Sequence, residues 1–152
     1  MVVNKKGFTI IEMVVVLGIL LSSSLVLLPI GIGQLQRNKV DSAAKDIASR
    51  IFLYQQNASA GLSDESYGIS FSTNSYTLYT GDSLASAVNS TQIDLTSNLS
   101  FSNISIVGGG NEMHFNKNTF KPVNAGTITI SDSLNAYTIV VNQEGLIYVE
   151  LV

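Results

Sequence analysis

The longest apolar segment of the chain lies near its start, where no charged residue occurs from Met13 to Gln36. As a helix with a rise of about 1.5 Å per residue, this segment would be roughly 36 Å long, enough to cross a hydrocarbon core of about 30 Å. Lys5 and Lys6 precede it. Because positively charged residues stay on the cytoplasmic side of a membrane, we expect the bulk of the chain to be exported.

From residue 34 the pattern changes from uniformly apolar to amphipathic. Apolar residues recur at alternating spacings of four and three, the period of one helical face. This face consists of Val40, Ala44, Ile47, Ile51, Tyr54 and Ala58. Gly61 is typical of a helix end. The pattern predicts an amphipathic helix over residues 34–61 that packs this face on the rest of the chain.

After Gly61, short runs alternate between apolar and polar residues, which is typical of antiparallel strands. The predicted strands are Tyr67–Ser72, Ser75–Thr80, Ser100–Val107, Glu112–Asn116, Thr127–Ser131, Tyr137–Asn142 and Leu146–Val152. Asp82–Asn98 is the least patterned stretch and is predicted to include a long loop. Asn142–Gly145 has the composition of a hairpin turn in a C-terminal meander. We therefore expect an α+β fold in which a long N-terminal helix packs on an antiparallel β-sheet head.

Composition excludes several classes of function. Charged residues make up 12% of the chain, the net charge is -3, cysteine is absent and histidine occurs once. A negative chain does not attract nucleic acid phosphates. Without cysteine there is no disulfide, no thiol catalysis and no cysteine zinc site.

Two small groups of residues are candidates for chemical sites. Glu112 and His114 alternate on one predicted strand and could form an acid–base or metal pair, although an exposed polar strand face explains them as well. Asp64, Glu65 and Asp82 could bind calcium, but their spacing matches no recognised calcium loop. We predict no catalytic residue, no metal site and no cofactor, and hence no enzyme.

Glu12 is the carboxylate that lies beside the apolar segment. An ionised side chain within a membrane helix is costly and is normally retained only with a partner. Cleavage between Gly7 and Phe8 would create an α-amino group that could pair with Glu12 of a neighbouring staggered helix. The alternative is a Glu12 side chain that reaches the membrane surface or is neutralised.

Pro29 interrupts the same predicted helix. A proline within a helix removes a backbone hydrogen bond at a cost of about 3 kcal/mol, so the helix is predicted to be weak around this position. In a packed assembly such a point would permit bending. A membrane helix that merely tolerates proline explains the residue equally well.

The run Gly7-Phe8-Thr9-Ile10-Ile11-Glu12, followed by a long apolar helix with Pro29 inside it, resembles the class III signal of type IV pilins and pseudopilins. The resemblance covers roughly residues 5–60. It implies cleavage after Gly7 by a prepilin peptidase, N-methylation of Phe8, and assembly through Glu12 and Pro29. The implied division is a leader over residues 1–7, a transmembrane or filament-core helix over 8–33, the amphipathic helix over 34–61 and a β-rich head over 62–152.

The resemblance also implies partners and a location. The partners would be the prepilin peptidase, other pilin or pseudopilin subunits, and a membrane platform protein served by a cytoplasmic ATPase. Before assembly the chain would span the bacterial inner membrane once, with its head outside the cytoplasm. After assembly it would belong to an extracellular or periplasmic filament.

A second resemblance concerns the head. The amphipathic helix, the strands and the final hairpin over residues 137–149 look like GspH/FimT-type minor pilins and pseudopilins. Members of that group often carry a Gly-Arg turn and a basic last strand, whereas this chain has Gly145-Leu146 and Glu150. Binding of nucleic acid through this tail is therefore not expected.

Two alternatives remain open from the residues alone. An ordinary secretory signal peptide would use Phe8–Leu21 as its apolar core and Ser22–Ser24 near its cleavage site, but Glu12 and the apolar run from Leu25 disfavour it. A membrane-anchored adhesive or DNA-uptake module is the alternative to a structural subunit of a filament. The sequence does not distinguish a pilus, a type II secretion pseudopilus and a competence pilus, or a major from a minor subunit.

Overall fold

The computed structural model describes residue 7 and residues 9–152, with the side chains of residues 24–36 excluded. The chain divides into two compact units, residues 1–36 and residues 37–152. Helix α1 is assigned from Ile10 to Ser59. It therefore contributes residues to both units, which are described separately below.

In the first unit, helix α1 begins directly after Thr9 and buries none of its described side chains. The hydroxyl groups of Ser22 and Ser23 donate to the carbonyls of Ile19 and Leu20, so these polar groups are satisfied within the helix. Within the described part of the chain, no helix combines the length and the hydropathy of a membrane span.

In the second unit, helix α1 buries the predicted stripe. Val40, Ala44, Ile51 and Ala58 are fully inaccessible and Ile47 is nearly so. Tyr54 is half-buried and packs edge-on against Tyr67, with ring centroids 5.4 Å apart. The helix ends at Ser59, and Gly61 adopts the left-handed conformation with φ 63° that suits glycine after a helix. This part of the prediction is confirmed.

The head contains eight strands in two antiparallel four-stranded sheets. They are β1 (Tyr67–Ser72), β2 (Ser75–Thr80), β3 (Asn89–Asp94), β4 (Ser100–Ile106), β5 (Glu112–Phe115), β6 (Gly126–Ser131), β7 (Ala136–Val141) and β8 (Ile147–Leu151). The strand orders are β3-β2-β1-β5 in the first sheet and β4-β6-β7-β8 in the second. The α+β class and the antiparallel pairing are as predicted.

A single apolar core joins helix α1 and both sheets. Strand β1 is buried on both faces, and its Phe71 meets Phe101 of β4 edge-on at 5.5 Å between ring centroids. This aromatic contact bridges the two sheets. The consecutive strands β6, β7 and β8 form the predicted C-terminal meander.

The prediction for Asp82–Asn98 is corrected by the structure. This stretch contains a 3₁₀ turn at Leu84–Ser86 and the whole of β3, which pairs with β2 in register from Thr80 opposite Asn89 to Ser75 opposite Asp94. Ile93 is the only apolar residue of β3, so the strand has no apolar alternation. An edge strand with this composition is stabilised by its backbone ladder rather than by a buried face.

Candidate functional site

The N-terminal site is organised by a reciprocal cap at the start of helix α1. One oxygen of Glu12, Oε2, accepts hydrogen bonds from the backbone N–H and the hydroxyl of Thr9, both at 2.8 Å. The Thr9 hydroxyl oxygen accepts in return from the Glu12 N–H at 3.3 Å. This is the capping box, in which a Thr and a Glu three residues later satisfy two of the free donors of a helix end.

The role of Thr9 was missed in the reading of the sequence, although its signal is visible as Thr-x-x-Glu before an apolar run. The cap gives Glu12 a partner within its own chain. In the described part of the chain the other carboxylate oxygen, Oε1, makes no hydrogen bond. That oxygen is free to accept from a further donor.

The remaining predicted residues of this site are only partly described. Gly7 is exposed in the described part of the chain. Phe8 lies outside the described residues. Helix α1 passes through position 29, but the Pro29 side chain also lies outside them. Their roles in processing and assembly stay predictions.

The helix that follows the cap is apolar on every side. Exposed fractions of its large side chains range from 52% at Val16 to 86% at Ile10. These side chains are Ile10, Ile11, Met13, Val14, Val15, Val16, Leu17, Ile19, Leu20 and Leu21. A helix with apolar residues all round is stable only where lipid or protein covers all its faces. This unit is thus suited to burial by surroundings that the single chain does not supply.

In the head, Glu112 serves structure rather than an acid–base pair with His114. Its Oε2 accepts from the Tyr79 hydroxyl at 3.0 Å and from the Leu84 N–H at 3.2 Å. Burial, with the adjacent Glu112 carboxylate, raises the pKa of Tyr79 well above its ordinary value. Glu112 therefore ties the 3₁₀ turn after β2 to strand β5.

The three carboxylates considered for calcium are not brought together as a ligand set. Asp64 forms an exposed ion pair with Lys117 at 3.0 Å, and Asp82 accepts from the Ser66 hydroxyl at 2.9 Å. No cluster of three or more potential metal ligands occurs among the described residues. Asp64 and Asp82 each have a separate local partner instead.

Gln55 is a buried polar residue that the apolar pattern did not reveal. It is completely inaccessible, and its Nε2 donates to the carbonyls of Phe120 at 2.8 Å and Gly145 at 2.7 Å. Its side chain thus fastens two loops to helix α1. The Oε1 atom is buried without a partner among the described residues. In the sequence, the only indication of this buried residue is its position beside the apolar stripe.

The turn between β7 and β8 is organised by Asn142. Its Oδ1 accepts from the N–H groups of Glu144 and Leu146, and Gly145 has a φ of 86° that favours glycine. Glu144 forms an ion pair with Lys121.

Comparison with known proteins places the fold. No family model matches the chain, and no curated protein matches it in sequence. A solved structure, the minor pseudopilin EpsH from the Type 2 Secretion System of Vibrio cholerae, matches with a TM-score of 0.58 and 12% sequence identity. The match covers 74% of this chain and 97% of that chain. The chain therefore has a pseudopilin-like fold.

Proposed function

We propose that this chain is a structural subunit of a type IV filament or a type II secretion pseudopilus, and a minor pilin or pseudopilin within it. The observation that carries the proposal is the helix over residues 10–21, apolar on every side and exposed, directly behind the Gly7-to-Glu12 signal. The pseudopilin-like fold of the head supports the same function.

The proposed pathway begins in the inner membrane, with the apolar helix in lipid and the head outside the cytoplasm. Prepilin peptidase cuts between Gly7 and Phe8, and Phe8 is then N-methylated. The subunit leaves the membrane through contacts with a platform protein and with other subunits. In the filament, apolar side chains of neighbouring helices replace lipid around the same surface, so the surface stays covered at every step.

Glu12 contributes specificity to this assembly. Its Oε2 is held by Thr9, which orients the carboxylate, and its Oε1 has no hydrogen bond among the described residues. The α-ammonium of a neighbouring processed subunit is a suitable donor to that oxygen. The pair would form in a surrounding of low polarity, where a charged hydrogen bond is strong and an unpaired carboxylate is costly.

The test is incorporation of a Glu12→Ala variant into filaments in the native host, measured as the ratio of filament-borne to membrane-borne subunit. We expect this ratio to fall at least about tenfold, the factor that corresponds to about 1.4 kcal/mol. Asp94→Ala, which removes an exposed carboxylate of the head, is the matched control and should incorporate normally. Normal incorporation of Glu12→Ala would contradict the proposal.

A deletion of the gene separates the possible machines. Loss of secretion of folded exoproteins would assign the subunit to a secretion pseudopilus. Loss of surface pili or of DNA uptake with secretion intact would assign it to a pilus. The pseudopilin-like head favours the first result.

A further inference from the structure

Two sheets leave four strand edges in the head, and two of them, β5 and β4, are covered or interrupted. On β5, the segment after it forms a bridge from Pro122 to Phe115, and Val123 donates to the carbonyl of His114. On β4, the pairing shifts register between Phe101 and Asn103. Such coverings and bulges are the devices by which proteins prevent a sheet edge from pairing with another chain.

Strand β3 avoids pairing in a different way. Its residues are polar except Ile93, and all of them except Ile93 are exposed. Asp94 adds a charge at its end. An edge of this composition offers a partner strand little apolar surface to cover.

The fourth edge, β8, has neither a covering segment nor a bulge in the described part of the head. Its only pairing is with β7, in regular register from Val141 opposite Ile147 to Tyr137 opposite Leu151. Four of its five residues are apolar or aromatic, and Glu150 is the exception. Tyr148 is 45% exposed and Leu151 52% exposed.

The direction of the free backbone groups of β8 follows from two bonds at its ends. The N–H of Val152 donates to Ala136, and the N–H of Asn142 donates to Leu146. Bonded pairs alternate with unbonded ones in an antiparallel ladder, so the even-numbered residues of β8 bond to β7. The N–H and C=O groups of the other residues therefore point away from the sheet. These residues are Ile147, Val149 and Leu151.

An apolar groove of about 560 Å³ lies beside this edge. Ala48, Ser49 and Phe52 of helix α1 line one side of it. The other side is lined by Phe120 and by residues 144–147. Ile147 is the first residue of β8 and residues 144–146 precede it, so the groove lies at the start of this strand.

We propose that the β8 edge and this groove form a docking site for an extended segment of a partner protein, which adds a fifth strand to the second sheet. The outward backbone groups of β8 bond to the partner's main chain. Alternate apolar side chains of the partner enter the groove. This combination of main-chain pairing with side-chain pockets is a general mode of strand recognition.

The charge of β8 indicates which kind of partner strand would bind. Glu150 is exposed at the edge, and β8 contains no basic residue. A second copy that paired through its own β8 would thus bring no cation to Glu150. A strand with lysine or arginine on the face of Glu150, and apolar residues on the other face, complements the site in both charge and shape.

The test measures binding of a fluorescein-labelled short peptide, in which valine and phenylalanine alternate with lysine, to the full chain in detergent micelles by fluorescence anisotropy. We expect saturable binding that weakens at least about tenfold in Val149→Pro, which removes an outward N–H and leaves the β7 bonds intact. Ser90→Pro on the edge of β3 is the matched control and should bind as the unmodified chain does.

A second variant tests the groove without altering the β8 backbone. Ser49 is exposed on the groove wall, so Ser49→Trp fills the groove and should weaken binding several-fold. A peptide with glutamate in place of lysine should bind more weakly to the unmodified chain and recover in Glu150→Lys. Circular dichroism establishes that each variant is folded.

Three results would overturn the proposal. The first is the absence of saturable binding. The second is binding that neither Val149→Pro nor Ser49→Trp weakens. The third is self-association of the full chain that Val149→Pro abolishes, because the edge would then pair with a second copy rather than with a basic partner strand.

Discussion

Helix α1 contains two stretches that are both rich in apolar residues and differ completely in burial. Over residues 10–21 every large apolar side chain is more than half exposed. Over residues 40–58 one stripe is buried against the sheets. Most of the exposed residues there are polar, and Lys45 pairs with Asp41 at 2.7 Å, although Phe52 and Leu53 are also exposed. The contrast shows that periodicity, rather than apolar content, separates a helix that completes its own domain from one that needs external surroundings.

An isoleucine-to-alanine substitution should strongly destabilise the head in one stretch and leave its stability almost unchanged in the other. Ile51 is fully buried and Ile19 is 61% exposed. Ile51→Ala removes core contacts and leaves a cavity, so we expect a loss of about 3–4 kcal/mol in the free energy of unfolding of the head. Ile19→Ala should change it by less than about 0.5 kcal/mol.

Urea denaturation of the full chain in one detergent, followed by tyrosine fluorescence of the head, measures both effects. If Ile19→Ala destabilised the head as much as Ile51→Ala does, the claimed difference between the two stretches of helix α1 would be contradicted. Equal and small effects would show that the stripe does not hold the helix on the sheets.

Gln55 is a polar residue in the buried stretch of helix α1, so it tests whether polar contacts also hold that stretch in the head. Gln55→Leu leaves the carbonyls of Phe120 and Gly145 without their donor, and we expect a loss of about 2 kcal/mol in the free energy of unfolding. The adjacent Gln56 is exposed, so Gln56→Leu is the control and should be close to neutral. An unchanged denaturation midpoint for Gln55→Leu would show that the two loops are held by other contacts.

The smallest effect concerns pH and is confined to the head. Burial raises the pKa of Tyr79 above the value of about 10 of the unfolded chain. The protonated hydroxyl therefore stabilises the native state fully below pH about 10, and this stability is lost as pH rises toward the native pKa. When one proton is released, the free energy of unfolding changes by at most about 1.4 kcal/mol per pH unit.

Tyr79→Phe should reduce the alkaline slope of the free energy of unfolding, measured by urea denaturation at intervals above pH about 10. Tyr148→Phe, at an exposed site on β8, serves as the control and should keep the slope of the unmodified chain. If both variants kept that slope, titration of Tyr79 would not be coupled to unfolding.

Much of the fold was accessible from pattern alone, because most elements bury one periodic face. The stripe from Val40 to Ala58 and the strands of the C-terminal meander follow such periods, and the observed strand ends differ from the predicted ones by at most one residue. β3 was missed because its residues are nearly all polar and its pairing depends on backbone bonds. The pattern also did not reveal that the strands divide into two sheets.

The contacts at the candidate sites also differ in whether they are local or distant in the sequence. The pairing of Glu12 with another subunit stays a prediction. Within the chain its carboxylate accepts from Thr9, a local contact that the Thr-x-x-Glu spacing predicts. Gln55 was missed because its partners are loop carbonyls far away in sequence. The β8 edge follows from sheet order, which local periodicity does not encode.

The most direct test of the account is intact-mass and N-terminal peptide mass spectrometry of the protein recovered from its native cells. We predict a mature chain that begins at Phe8 and carries one additional methyl group. A chain that begins near Leu25, or one that retains Met1, would contradict prepilin processing and with it assembly through the N-terminal helix.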